Sequence, residues 1–379
     1  MNPIDELRAA RPAHLGDRPV DERTRAAELA QAMAVPRRTR RRRKAVRPVL
    51  GLAALAAGAT AVAVVVAGNT APPPQRQAPL AGPSVSATPR KVTLSARDVL
   101  LAAAEKAGRQ PDRTGDWWHT TAVSRHVYPA VKGGYLVEDR QRIEAWTPRA
   151  TGGDQWSREQ TLGARPAGEA DRAAWEQAGS PTKIDVIVPG KKLAPMSLST
   201  ASREPVTGHS PLVDGDKVFW LGRNVTMKDL RGLPDEPGKL KKWLLDSYDG
   251  HSTESSSVKM SSDAWLFAVS VGLIVDMPVT PQVRGAAFRM LAGLDSVKVV
   301  QDVTDAEGRT GTAAAIEEGD AKTGLRESRL IFDETTGQAL GRESVVVEPR
   351  GAQAGLEPGT VWSSEALLEA GWTDVSPKR

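Results

Sequence analysis

The chain has 379 residues, 40% of them hydrophobic and none of them cysteine, with 51 Lys/Arg against 46 Asp/Glu. That length admits two ordinary domains or one large one with tails, and it excludes a wholly disordered protein; lack of cysteine excludes disulfides, thiolate zinc sites and a cysteine nucleophile. The net charge of +5 is carried by residues 1–48, which hold 13 Lys/Arg and 6 Asp/Glu for a balance of +7, so the rest sums to −2 and no nucleic-acid partner is expected.

In chain order, the first predicted piece is a short basic cytoplasmic tail, residues 1–48. Asp21 is placed to cap a helix running to about Met33, and Pro12 and Pro19 separate it from a turn around Ile4 and Leu7. The tail is too small for a core of its own. It reads either as a solvated juxtamembrane segment or as a docking peptide for a cytoplasmic partner. Residues 49–68 follow, 20 uncharged positions rich in Ala, Val, Leu and Gly. A helix of that length spans about 30 Å, the thickness of the hydrocarbon core, so the segment is expected to be a single transmembrane helix. Eight Lys/Arg lie between Arg37 and Arg47, directly before it, and the next basic residue after it is Arg76. The positive-inside rule then keeps the N-terminus in the cytoplasm and exports the C-terminal bulk of a single-pass cell-membrane protein. A cleaved signal peptide is the rival reading, against which stand a long basic region and an apolar core longer than about 15 residues. Residues 69–91, rich in Pro and Ala, are an extended linker.

The folded part is expected over 92–379, and it contains all ten tryptophans. Ser95 and Asp98 form a capping box before VLLAAAEKAG, a helix stopped by Gly108. WWHTTAVSRHVY, YLVEDRQRIEAW and QWSREQTL read as strands. Ala170 to Ala178 and Lys239 to Tyr248 read as helices, and VFWLGRNVTM as a single strand ending near a helix start. Ala264 to Met277 is apolar but too short to span a membrane and contains Asp276, which makes it a buried core helix. Thr280 and Pro281 supply an N-cap and an N1 proline for a helix ended by Gly293. Four β-like runs follow (VKVVQDVT, GTAAAIEE, LRESRLIF and ALGRESVVVE), with turns at Asp305–Gly308 and Asp333–Gly337. An antiparallel C-terminal meander packed on helices places the domain in the α+β class.

The stretches LRGLPDEPGKLKKWL, TPQVRGAAFRMLAGLDSVKVV, VTDAEGRTGTA and LIFDETTGQALGRE, with the basic-plus-apolar segment and the closing GWTDV, carry a resemblance. In that order they resemble an actinobacterial family of uncharacterised single-pass membrane proteins often encoded beside extracytoplasmic-function sigma factors. The resemblance implies a sensor or regulator in envelope signalling, with residues 1–48 meeting a cytoplasmic protein such as a sigma factor. It brings no catalytic residues with it. A curved sheet like that of periplasmic lipoprotein carriers is a looser analogy. The tail holds only His14 and no cysteine, so a sigma-factor contact there is that of a short peptide and not of a zinc domain.

No constellation of catalytic, cofactor-binding or metal-binding residues stands out, so enzymatic activity is not expected and no cofactor is assigned. Ser256-x-x-Lys259 and Lys322-Thr323-Gly324 imitate penicillin-binding motifs, but Ser256 falls in a loop-like string and Ser180-x-x-Lys183 matches equally well. His119 and His126, seven apart on one strand, point to opposite faces and do not share a metal. Asp305-x-Glu307-Gly308 is a turn and not a calcium loop. Trp117, Trp118, Trp146, Trp156 and Trp220 are the candidate lining of a groove for a lipid or glycan; packing in the core is the alternative. The second functional reading is therefore an anchored lipid- or glycan-binding module without a signalling role.

Overall fold

The computed structural model describes residues 95–188, 195–320 and 323–377. The tail, the apolar segment and the linker expected over 1–91 lie outside these residues. Among the described residues no helix is long and apolar enough to cross a membrane.

Helix α1, Ala96–Gly108, starts where its capping box predicts: Ser95 accepts from the Asp98 N–H, and the Asp98 carboxylate accepts from the Ser95 N–H. Its buried stripe is Val99, Leu100, Ala103, Ala104 and Ala107. Strands β1 (Trp117–Pro129), β2 (Leu136–Pro148) and β3 (Asp154–Thr161) follow as expected. Next come β4 (Arg165–Pro166), helix α2 (Glu169–Gln177), and the pair β5 (Lys183–Val186) and β6 (Met196–Ser199). Strand β7 is Val206–Pro211.

The single strand expected at VFWLGRNVTM is instead a hairpin, β8 (Lys217–Phe219) and β9 (Asn224–Thr226). Gly222, at φ +72°, reverses the chain there with its Cβ position against Thr253. Thr226 then caps the short helix α3, Met227–Arg231. Helix α4 is Pro237–Leu245, α5 is Ser262–Val275 and α6 is Pro281–Leu291. The Thr280 hydroxyl accepts from the Val283 N–H and Pro281 occupies N1, as the sequence predicts for α6.

The four C-terminal runs are strands β10 (Lys298–Thr304), β11 (Thr310–Asp320), β12 (Gly324–Phe332) and β13 (Ala339–Glu348). A fifth, β14 (Val361–Thr373), is absent from the sequence expectations, yet it is central. It pairs antiparallel with β13 on one side and β1 on the other, so the meander and the N-terminal strands make one sheet. The main path is β10-β11-β12-β13-β14-β1-β2-β3-β7, with β4 attached to β2, and every pairing given for these strands is antiparallel. The fold is α+β, built on a large antiparallel sheet and few helices.

One face of the sheet receives the helices. Ala314, Ile316, Leu330, Phe332 and Leu367 project from it into the same apolar core as α1, α4, α5 and α6. Eleven of the fourteen residues of α5 are buried, which explains why its sequence is apolar on all sides. Gly285 brings α6 close to α1: a Cβ there would lie 2.7 Å from Ala104 O. On the other face, Arg309 donates to Leu340 O and Leu367 O while pairing with Asp305. Those carbonyls sit where the ladders slip register, near Ile331/Phe332 and Thr121/Ala122. Bulges leave polar backbone groups without ladder partners, and here an arginine from the β10–β11 turn supplies them.

Candidate functional site

Alternation along β1 decides which side chains meet. Trp118, Thr120, Ala122, Ser124 and His126 point toward α5 and line a cavity of about 250 Å³ between helix and sheet. Their ladder neighbours Ile143 and Ala145 on β2, and Ser363 and Glu365 on β14, extend the same surface. Phe267, Ala268 and Val271 of α5 cover it, and Met277 and Pro278 close the end where that helix stops. Val218 and Phe219 of β8 contribute from the side. Most of the lining surface is apolar, although polar and charged residues contribute to it from β1, β12, β13 and β14, a mixture suited to a ligand with both characters.

The polar groups have a definite geometry. Asp276 is the C-cap of α5, where the negative end of the helix dipole makes a carboxylate unwelcome. Arg342 on β13 compensates: its Nη1 donates to Asp276 Oδ2 at 2.7 Å and its Nη2 donates to Glu365 Oε1 at 2.8 Å. One guanidinium thus serves two carboxylates. Burial pushes the Asp276 carboxyl up to about 6, with Arg342 pulling the other way. Burial opposes the charge on Arg342, but its two carboxylates outweigh that and hold it above the ordinary guanidinium value.

Trp118 ties the helix end to the sheet by donating from Nε1 to Asp276 O at 2.7 Å. The Arg284 guanidinium lies 5.1 Å from the Trp118 ring centre, and burial lowers it to about 10, with Arg231 adding to the effect. His126 Nε2 is 3.3 Å from Ser363 Oγ, and burial holds its imidazole below the usual range.

The five tryptophans proposed as one groove do not converge, and the reading that they share a surface is corrected. Only Trp118 lines the cavity. Trp146 and Trp156 are cross-strand neighbours in register with His119 and His209, on the opposite face of the sheet. There Trp146 stacks on His119 at 4.6 Å and Trp156 on His209 at 4.4 Å, and Arg158 lies over Trp146 at 5.3 Å. Trp117 alternates with Trp118 and so also leaves the cavity side. Trp220 is buried in the helical core, donating to Val269 O at 3.2 Å.

His119 and His126 lie on opposite faces, as their spacing predicts. Among the described residues no group of three or more His, Asp or Glu could hold a metal ion. Ser256 sits in a turn and not on a helix, while Lys259 pairs with His251 in an isolated bridge. Lys322 of the second imitated motif lies outside the described residues. Asp305 is a turn residue, its Oδ1 accepting from the Glu307 and Arg309 N–H groups.

No family model, no curated protein and no solved structure matches this chain.

The residues that sequence reasoning missed are Arg342 and Glu365, together with the place of His126 and Asp276 in the cavity. A usable signal was present in Asp276. An ionisable residue ending a 14-residue apolar helix requires a partner of opposite charge, although only the fold identifies that partner as Arg342.

Proposed function

We propose that the described domain is a binding module for an amphiphilic small molecule, taken up in the cavity under α5. The observation that carries this reading is the cavity itself. It combines apolar walls from Phe267, Val271, Ile143 and Met277 with the Asp276–Arg342–Glu365 cluster, so it can hold an apolar chain and orient a polar end. Its volume, about 250 Å³, suits a chain or ring system of modest size. A lipoprotein-carrier-like sheet is the finer version of the same proposal, supported by a long antiparallel sheet that shares one apolar core with α1 and α3 to α6.

The topology belongs to the proposal as well. The apolar residues 49–68, flanked by arginines on the N-terminal side, anchor the module with its C-terminal domain outside the cytoplasm. In the regulatory version, ligand occupancy outside is reported to a cytoplasmic protein, such as a sigma factor, through residues 1–48. That version rests on the resemblance to sigma-factor-linked membrane proteins.

The test is native mass spectrometry and lipid extraction of the full-length protein purified from membranes, with Ala268→Phe as the comparison. Ala268 lines the cavity and is only partly buried, so a phenyl group there fills the space without displacing core. Co-purifying ligand in the wild type and its loss in Ala268→Phe supports the reading. Equal ligand content in both proteins, or none in either, refutes it.

A further inference from the structure

The charges around the cavity are unbalanced, and the imbalance specifies a ligand class. Arg342 gives one hydrogen bond to Asp276 and one to Glu365, each through a single carboxylate oxygen. The second oxygens, Asp276 Oδ1 and Glu365 Oε2, receive no hydrogen bond from a described residue. Two carboxylates against one guanidinium leave this cluster one negative charge in excess, with each side chain only about a quarter exposed (23% for Asp276, 23% for Glu365).

Neighbouring groups on the same face do not correct the excess. Asp139 stands opposite His126 on the β1–β2 ladder, and Glu159 stands opposite the cavity residue Ile143 on β2–β3. Glu318 and Arg326, cross-strand partners on β11 and β12, cancel each other. Burial disfavours the charged form of the His126 imidazole. Arg284 meets the cavity wall only from behind the Trp118 ring. Arg329 and Glu343, which also border the cavity, pair with each other, and Arg329 pairs with Glu327 as well, so that guanidinium too is outnumbered by carboxylates. An anionic head group entering the cavity therefore meets like charge, and a neutral one leaves the two acceptors unused.

We propose that the cavity selects a cationic amphiphile, its apolar tail lying beneath α5 and its protonated amine held between Asp276 and Glu365. This rests on the reading of the cavity as a ligand site and names the chemistry of the ligand. An ammonium donates to Asp276 Oδ1 and Glu365 Oε2 and neutralises the cluster, turning a buried excess charge into a closed network. Arg342 keeps both carboxylates aimed at the same point when the site is empty.

Proton uptake by Asp276 opposes this binding. Below about pH 6 its carboxyl loses the charge that the ammonium needs. The groups facing it are Arg342 on β13, Glu365 on β14 and Trp118 on β1, with His126 further along β1. Protonation of His126 adds positive charge to the face and acts in the same direction.

The experiment uses full-length protein in lipid nanodiscs, with empty nanodiscs as the blank. Binding of hexylammonium, hexanol and hexanoate is measured by calorimetry and by tryptophan fluorescence at pH 7.5 and 5. The expected order at pH 7.5 is hexylammonium tightest by about tenfold over hexanol, with hexanoate weakest. The preference shrinks at pH 5, and it disappears in Asp276→Asn and in Glu365→Gln, which keep an acceptor for Arg342. Equal binding of the three probes, or tightest binding of hexanoate, overturns the cationic assignment and leaves the cavity a ligand site. Absence of binding by all three overturns both.

Discussion

Replacing Arg342 by methionine tests the electrostatic reasoning most directly. The side chain keeps an unbranched apolar stem but ends short of the guanidinium, and the variant loses two charge-assisted bonds, 2.7 Å to Asp276 and 2.8 Å to Glu365. What remains is a pair of mostly buried carboxylates with no cation between them. Breaking such a cluster by removing one partner costs about 3–5 kcal/mol, most of it the burden of uncompensated buried charge. At pH 8 the expected loss is therefore about 3–5 kcal/mol. The pH dependence supplies the sharper check. In the wild type the Asp276 carboxyl is already pushed to about 6 by burial, with Arg342 opposing that rise. Removing Arg342 raises it further. A carboxyl whose folded value exceeds its unfolded value stabilises the protein fully below the unfolded value, and that contribution is lost as pH rises through the folded value. The variant should thus recover stability between pH 8 and pH 5, by about 1.4 kcal/mol for each unit by which the folded value lies above the ambient pH. The wild type should show the same trend in weaker form, gaining stability as pH falls from about 6 toward 4. The assay is urea unfolding followed by tryptophan fluorescence at pH 8, 6.5 and 5. A loss below about 1 kcal/mol at pH 8, or an equal loss at pH 8 and pH 5, refutes the picture of a compensating guanidinium.

Filling the cavity with Ala268→Phe should change stability by less than about 1.5 kcal/mol, because the added volume enters existing space; a cost well above that in urea unfolding means the cavity is not open to a side chain. Gly285→Ala should cost about 1–3 kcal/mol, since the new Cβ lies 2.7 Å from Ala104 O, while Gly108→Ala across the same interface meets only contacts of 3.9 Å and should be neutral or better. Thermal melts of the two variants side by side check this, and equal melting temperatures disprove a close α1–α6 approach. Thr280→Ala should lower stability by about 1 kcal/mol by removing the cap on the Val283 N–H, with serine restoring it.

Local signals in the sequence located the elements well and their partners poorly. Ser95 with Asp98, and Thr280 with Pro281, mark helix starts because a cap and its helix lie within four residues of each other. The strands from β1 to β3 and from β10 to β13 announce themselves by composition and turn residues. Strand β14 does not, because its charges Glu365 and Glu369 look wrong for a central strand until Arg342 and His119 stand beside them. The hairpin at 217–226 was hidden for a related reason: three-residue strands carry too little pattern, and the turn is made by Gly222 against a distant loop.

The amino-acid sequence by itself determined an α+β domain, the capped starts of α1 and α6, the buried character of α5 and the placement of His119 and His126 on opposite faces, whereas the helix expected at Lys239 to Tyr248 runs instead over Pro237–Leu245. These follow from spacings of two to four residues and from what a short segment can bury. Tertiary structure alone decided that the N-terminal strands and the C-terminal meander join through β14 into one sheet. It also sent Trp118 to the cavity and Trp146 and Trp156 to the far side, and set Arg342 between Asp276 and Glu365. The reason is register: a one-residue slip between strands far apart in sequence turns every side chain to the other face, so which groups converge is a property of the pairing and not of any segment.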